Sequence, residues 1–327
     1  MKKINLAVVG ATGMVGRNII KILEERNFPC GNVFFYGSKR SAGTLISFRG
    51  EEHPVKELNE ESFDIPIDIA LFSAGGAIAG HYAPVLADRG GLAIDNSSHF
   101  RMNADVPLVV PEVNPDDVKL HKGIISNPNC STIQAVVALK PLHDRFCIKR
   151  IVYNTYQAVS GAGMDGWQDL KGGLSGEAPK KFPHQIAHNV IPQVDVFTHN
   201  GYTGEELKMI NETRKILHAP DIKITATCVR VPVFNAHSES INVEFENIFE
   251  IEEIMKILGN APGIKLYNNM EYPTAIIADG SDDVYVGRIR RDLSSNGIDM
   301  WVVADNLRKG AATNAVQIAE LCCSVSN

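Results

Sequence analysis

A glycine loop near the start of the chain restricts the fold more than any other feature. Residues 3–9, KINLAVV, are mostly apolar and end in the run Leu6–Val9, followed by Gly10-Ala-Thr-Gly13-Met-Val-Gly16 and then by a helical pattern from Arg17 to Arg26. An apolar run of this length closed by glycine predicts a strand buried on both faces of a parallel sheet. A G-x-x-G-x-x-G turn between such a strand and a helix is where a dinucleotide pyrophosphate can be cradled. Glycines let the backbone approach the phosphates, and the helix N-terminus offers N–H donors and the positive end of its dipole. A tight turn with no ligand is the competing explanation; the strand–turn–helix context favours the cofactor.

The pattern continues in the same sense. Residues 32–36, 67–73, 91–95 and 124–126 are apolar strand candidates, with a helix near 76–89. Alternating strands and helices predict a doubly wound, Rossmann-type parallel sheet. After about residue 147 the texture changes. Segments 148–159, 222–233, 238–246, 283–291 and 298–304 are rich in Val, Ile, Tyr and Thr, and several alternate. They predict a second α+β domain on a mixed, mostly antiparallel sheet, with helices at 203–217 and 250–258. Segment 309–324 predicts one amphipathic helix. The expected division is 1–129 plus 307–327 for the cofactor domain and 130–306 for a catalytic and dimerisation domain.

Dinucleotide folds that bind NAD usually carry an acid after the second strand, for the ribose hydroxyl. Here that position reads Tyr36-Gly-Ser38-Lys39-Arg40-Ser41, with hydroxyls and cations and no carboxylate. This predicts NADP, whose 2′-phosphate such groups suit; a solvated basic loop is the alternative. The net charge of -6 argues against nucleic acid as a partner, since phosphate-backbone binding needs a basic face. No run of eighteen apolar residues is present, so no transmembrane span and a cytoplasmic enzyme are expected.

Six cysteines occur, none in a C-x-x-C pair, and no metal cluster is expected. One of them stands apart. Ser126-Asn-Pro-Asn-Cys130-Ser-Thr follows an apolar strand and precedes the apolar run 133–142, which predicts that Cys130 opens a helix. A helix N-terminus favours the thiolate, the form that attacks a carbonyl carbon, and its N–H groups can hold an oxyanion. An inert packed thiol is the bland alternative; the turn before the helix favours the nucleophile.

GATGMVG at the start, SNPNCST around Cys130, YQAVSGAG at 156–163, RVPVFNAHSES at 230–240 and DNLRKGAATNAVQIAE near the end together resemble the aspartate-semialdehyde dehydrogenase family, in its order and over nearly the whole chain. The resemblance implies reversible reduction of L-aspartyl 4-phosphate to L-aspartate 4-semialdehyde with NADPH, on the route to lysine, methionine and threonine. It implies that Cys130 carries the acyl thioester, that Gln157 orients substrate and that His237 is the general acid/base. Arg230 would grip the substrate carboxylate and Arg101 the phosphate, with Asn129, Glu205 and Lys208 also at the substrate. Gly10, Thr12, Gly13, Met14, Val15, Ser38, Arg40, Ser41, Ser160, Gly161 and Gln317 would contact NADP. The partners implied are the substrate, inorganic phosphate and a second copy of the chain in a homodimer.

The residue chemistry is consistent with that assignment. Two anionic ligands need cations even in an acidic protein, and Arg101, Lys208 and Arg230 supply them. Arg230 and His237 are seven apart and would face opposite ways on a straight strand; Pro232 and Phe234-Asn235-Ala236 predict a bend that brings both to one pocket. Glu205 and Lys208 are three apart on a predicted helix, where a surface pair is the alternative. Ser160-Gly-Ala-Gly163 permits close backbone approach, to the nicotinamide or within a plain turn. N-acetyl-glutamyl-phosphate reductase, a hydrolytic aldehyde dehydrogenase and a silent NADP-binding regulator are the competing functions.

Overall fold

A computed structural model describes residues 3–268 and 270–325. It divides into two compact units, Met1–Asn129 with Ala311–Asn327, and Cys130–Gly310. In the first unit β1 (Ile4–Val9) leads through the glycine loop into α1 (Met14–Glu25), then β2 (Cys30–Gly37). A hairpin of β3 (Leu45–Phe48) and β4 (Glu51–Pro54) precedes β5 (Lys56–Glu57). There follow β6 (Ile69–Phe72), α2 (Gly76–Asp88), β7 (Leu92–Asp95) and β8 (Ile124–Ser126). The sheet order is β5-β2-β1-β6-β7-β8 and every neighbouring pair is parallel. Counted within this sheet the order is 3-2-1-4-5-6, the doubly wound arrangement whose switch point lies beside β1, where the glycine loop begins. All four residues of β6 are buried, as a strand covered on both faces requires.

α1 begins at Met14, three residues earlier than the sequence pattern suggests. Gly13 is its extended N-cap, and Gly16 already lies inside the helix. A Cβ on Gly16 would collide with the carbonyl oxygen of Gly10, and one on Gly10 would stand 2.8 Å from the backbone of Ser73. Gly10 has φ of +84°, a conformation that favours glycine. These glycines thus let helix, loop and neighbouring strand pack closely, whatever ligand they also serve.

The second unit opens with α3 (Cys130–Phe146) and β9 (Ile148–Gln157), then α4 (Gly163–Leu174) and α5 (Gly204–Ile216). β10 (Lys223–Arg230), β11 (His237–Phe245), α6 (Ile251–Asn260), β12 (Ile264–Leu266), β13 (Val284–Arg291) and β14 (Gly297–Ala304) complete it. The sheet order is β10-β9-β11-β14-β13-β12, parallel at its two outer pairs and antiparallel between. α3 is buried without a break from Ser131 to Leu139, so it is a core helix rather than an amphipathic one.

The expected single helix over 309–324 is two pieces. A π-helical turn, Arg308–Ala312, precedes an α-helix, Thr313–Val325, whose residues 313–316, 318 and 319 are all buried. The chain joins the first unit at Ala311, later than the expected 307. The intervening side chains are engaged in the second unit: Asp305 accepts from Gly280 N, Asn306 from Ala236 N, and Arg308 pairs with Asp282 through two nitrogens. Among the described residues no helix is long and apolar enough to cross a membrane.

Candidate active site

The sheet of the second unit assembles the site by register. β9 and β10 are parallel and place Arg230 opposite Gln157 at their last residues. β11 pairs with β9 up to Ser238 opposite Tyr156, and continuing that register by one residue brings His237 level with Gln157. Arg230, Gln157 and His237 therefore form one row across three adjacent strand ends, all three buried. The bend anticipated between Arg230 and His237 is real: β10 stops at Arg230, Pro232 follows, and Ala236 takes φ of +67° before β11 begins. The two heads converge on Gly161. A Cβ there would lie 3.0 Å from Arg230 Nη1 and 3.3 Å from both Cε1 and Nε2 of His237.

Each member of the row is held from behind. Arg230 Nη1 donates to Ala158 O at 2.6 Å, and its guanidinium stands 5.8 Å from the centre of the Phe182 ring. The amide of the same Ala158 donates to His237 Nδ1 at 3.0 Å. Because Nδ1 accepts, the neutral imidazole carries its proton on Nε2. Nε2 itself is buried and has no hydrogen-bond partner among the described residues. Burial, and then the Arg230 charge, hold the His237 pKa well below the usual histidine value, so the ring is neutral. Asn306 fastens the two turns beside it, bonding Ser160 Oγ and accepting from Ala236 N at 3.0 Å.

Gln157 is fixed at both ends of its amide. Its Oε1 accepts from Thr155 Oγ1 at 3.1 Å and its Nε2 donates to Glu205 Oε1 at 2.9 Å. Glu205 Oε2 accepts from Lys208 at 3.2 Å, and Lys208 also donates to Asp195 at 2.8 Å. The pair at 205 and 208 is thus not a surface pair: Glu205 is only 5% exposed. Burial opposes the Lys208 charge, but Glu205 and Asp195 outweigh it and raise its pKa. The start of α5 is set by a capping box, in which Glu206 N donates to Thr203 Oγ1 and Thr203 N to Glu206 Oε2. Glu206 Oε1 also accepts from Cys228 N, which ties this helix end to β10.

Cys130 is the first residue of α3 and is partly exposed, whereas Cys30 and Cys228 are buried. A Cβ on Gly310 would stand 3.0 Å from Cys130 Cβ, so a side chain there would crowd the cysteine. Arg230 and Cys130 interact electrostatically. Sequence reasoning missed Asp195, Phe182 and the backbone of Ala158. The first two lie in 175–202, which has no periodicity to read, and a backbone donor leaves no residue-type signal.

In the first unit the two expected cofactor segments meet. Thr12 Oγ1 donates to Ser41 Oγ at 3.2 Å, and Ser38 Oγ is 3.3 Å from the same oxygen. Lys39 and Arg40 are exposed beside them. α1 has no side-chain hydrogen bond at its N-cap and no acid in its first turn. β5 brings an acid, Glu57, opposite Gly37, a pairing no local pattern foretells. Arg101 is buried, donating from Nε to Asn127 O and from Nη2 to Asn96 O; Asn129 is buried as well. Gln317 Nε2 donates to Glu112 Oε1 at 2.9 Å.

Comparison with known proteins agrees with this architecture. Residues 5–121 match the family model for the NAD binding domain of semialdehyde dehydrogenase, and residues 139–309 match its dimerisation domain. The aspartate-semialdehyde dehydrogenase of Aquifex aeolicus is 57% identical over 97% of both chains. The crystal structure of aspartate semialdehyde dehydrogenase II from Vibrio cholerae, complexed with ASA, superposes with a TM-score of 0.95 at 46% identity, covering 99% of each chain. The Candida albicans enzyme with NADP has a TM-score of 0.80 at 26% identity, covering 98% of each. The chain is an oxidoreductase with an NAD(P)-binding domain, and it belongs to the aspartate-semialdehyde dehydrogenase family.

Proposed function

We propose that the protein interconverts L-aspartate 4-semialdehyde and L-aspartyl 4-phosphate, using NADP and inorganic phosphate, through a thioester on Cys130, in the biosynthesis of lysine, methionine and threonine. The observation that carries this reading is the row of Arg230, Gln157 and His237 in the unit that Cys130 opens. In the oxidative direction the Cys130 thiolate attacks the aldehyde carbon, and the carbonyl oxygen becomes an alkoxide. The Nε2–H of His237 donates to that oxygen. With Nδ1 engaged by Ala158 N–H and the charged ring disfavoured, hydrogen-bond donation is the role the geometry supports, narrower than the general acid/base role the sequence suggests. Bound NADP supplies the hydride acceptor. Phosphate then attacks the thioester carbon and expels the Cys130 thiolate, and its proton passes to solvent, which balances the reaction.

Arg230 holds the substrate carboxylate, and its charge is stabilised by that of Cys130. Gln157, fixed by Thr155 and Glu205, orients the carbonyl. Lys208, with its charge shared by Glu205 and Asp195, is a candidate phosphate ligand of the second unit, and Arg101 is the candidate of the first. For the cofactor, the uncapped α1 terminus suits the pyrophosphate, and Thr12, Ser38, Arg40 and Ser41 suit a 2′-phosphate. Lys39 and Arg40 are both exposed there. The match to a dimerisation domain, and the C. albicans structure with NADP, support a homodimer and this choice of cofactor. The test follows NADPH formation from aspartate semialdehyde and NADP with and without phosphate. Strong phosphate dependence is expected; equal rates would favour the hydrolytic reading.

A further inference from the structure

One buried acid has no place in the chemistry above. Glu239 is fully inaccessible, and neither carboxyl oxygen has a hydrogen-bond partner among the described residues. It follows His237 by two on β11, so both side chains leave the same face of the sheet. Its cross-strand neighbours are Thr155 on β9 and Val302 on β14, and Thr155 in turn is opposite Cys228 on β10. Cys228, Thr155 and Glu239 therefore make a second row directly beneath Arg230, Gln157 and His237. The second row touches the first, since Thr155 donates to Gln157.

The groups around Glu239 offer its charge no compensation. Tyr153 on β9 and Cys228 on β10 both lose acidity from an ionised Glu239, and Glu205 on α5 repels it. The inward residues of β14, Met300, Val302 and Ala304, carry no titratable group. On its own strand His237 is neutral, and the Arg230 charge is committed to the row above. α3 packs over the same strand, presenting Cys130 at its start and Gln134 one turn later. Gln134 Nε2 reaches His237 O at 3.4 Å, while Gln134 Oε1 is buried with no hydrogen-bond partner among the described residues. An amide oxygen accepts and a carboxylic acid donates, so these two orphan groups are chemical complements; an amide oxygen and a carboxylate are not.

We propose that Glu239 is a positioning residue that works only as the neutral acid: its O–H donates to Gln134 Oε1, tying the Cys130 helix to the His237 strand, and its neutrality keeps negative charge out of the layer beneath the site. This rests on the roles proposed for Cys130 and His237. Ionisation at high pH removes the donor and places an anion below the row that must favour the Cys130 thiolate. A carboxyl at this position, unlike an amide, thus gives the site an alkaline limit.

The test uses the full chain, with Glu239→Gln, whose amide still donates, and Glu239→Leu, which cannot. Glu239→Leu is expected to lose about tenfold in kcat/KM, the cost of a buried hydrogen bond, and Glu239→Gln to recover most of it. The alkaline limb of the kcat/KM profile is expected to move up by at least about one pH unit in Glu239→Gln, since only the carboxyl titrates. Infrared spectra are expected to show a protonated-carboxyl band above neutral pH in the wild type that Glu239→Gln lacks. An unchanged limb and an unchanged band would overturn the proposal. If neither variant folds, the wild-type spectrum decides alone: no protonated-carboxyl band above neutrality overturns it. Wild type inactive on aspartate semialdehyde would sink the proposed function and leave the infrared result standing.

Discussion

Gly161→Ala is a one-atom perturbation whose size follows from the geometry. The backbone at Gly161 is not left-handed, so alanine suits the local conformation, and the effect comes from the added methyl. That methyl would stand 3.0 Å from Arg230 Nη1, where ordinary contact begins at 3.4 Å, so the guanidinium must retreat by about 0.4 Å. It has little freedom to do so, since Nη1 is bonded to Ala158 O at 2.6 Å and the residue is 6% exposed. A hydrogen bond to a charged group contributes about 1.5–3 kcal/mol, so its disruption predicts a loss of about 10- to 150-fold in kcat/KM for aspartate semialdehyde. The assay is steady-state NADPH formation with phosphate saturating and substrate varied. A kcat/KM within about twofold of wild type would refute the claim that Arg230 and His237 act from this crowded point. A rise confined to the KM for NADP would instead assign Gly161 to the cofactor.

Other outcomes follow from the same geometry. Thr203→Ala removes the capping box of α5 and should cost about 1 kcal/mol, lowering Tm by about 2–4 °C, with a further fall in activity because Glu205 and Lys208 ride on that helix. His237 has a folded pKa well below 6.5, so the unfolded chain takes up a proton that the folded one does not. Stability is therefore lost as pH falls below 6.5, by up to about 1.4 kcal/mol per pH unit, and urea midpoints of His237→Asn should lack that component. Replacing Lys39 and Arg40 together by Ala should raise the KM for NADP about tenfold and leave that for NAD within about twofold; equal effects on both would contradict 2′-phosphate binding at the Ser38–Ser41 loop.

Much of the fold was legible because its signals are local. The run KINLAVV, the glycine turn and the apolar segments at 67–73 and 91–95 each declare a buried parallel strand without reference to the rest of the chain. The long strands of the second unit were legible for the same reason, through β-branched and aromatic residues. The hairpin β3–β4 was not, since Glu51, Glu52 and His53 on β4 carry no apolar alternation. α4 was hidden by its glycines at 163, 166, 172 and 173. Motifs located the candidate site residues one by one, but their relation is a matter of register. That Arg230, Gln157 and His237 fall in one row depends on a parallel pairing of β9 with β10 and an antiparallel pairing of β9 with β11, which no local pattern specifies. Glu239 shows the limit from the other side. Its period-two spacing from His237 was readable, while its lack of partners needed the packed interior.

The most direct test of the account is to find the acyl group. Incubating the protein with aspartate semialdehyde and NADP in the absence of phosphate, then quenching in acid, should leave a thioester visible by peptide mass spectrometry on the Cys130 peptide. Adding phosphate before the quench should discharge it. An aspartyl adduct on Cys130 that phosphate removes is the predicted result. No adduct under conditions where NADPH has formed in a first-turnover burst, or an adduct on another residue, would contradict the claim that Cys130 is the nucleophile.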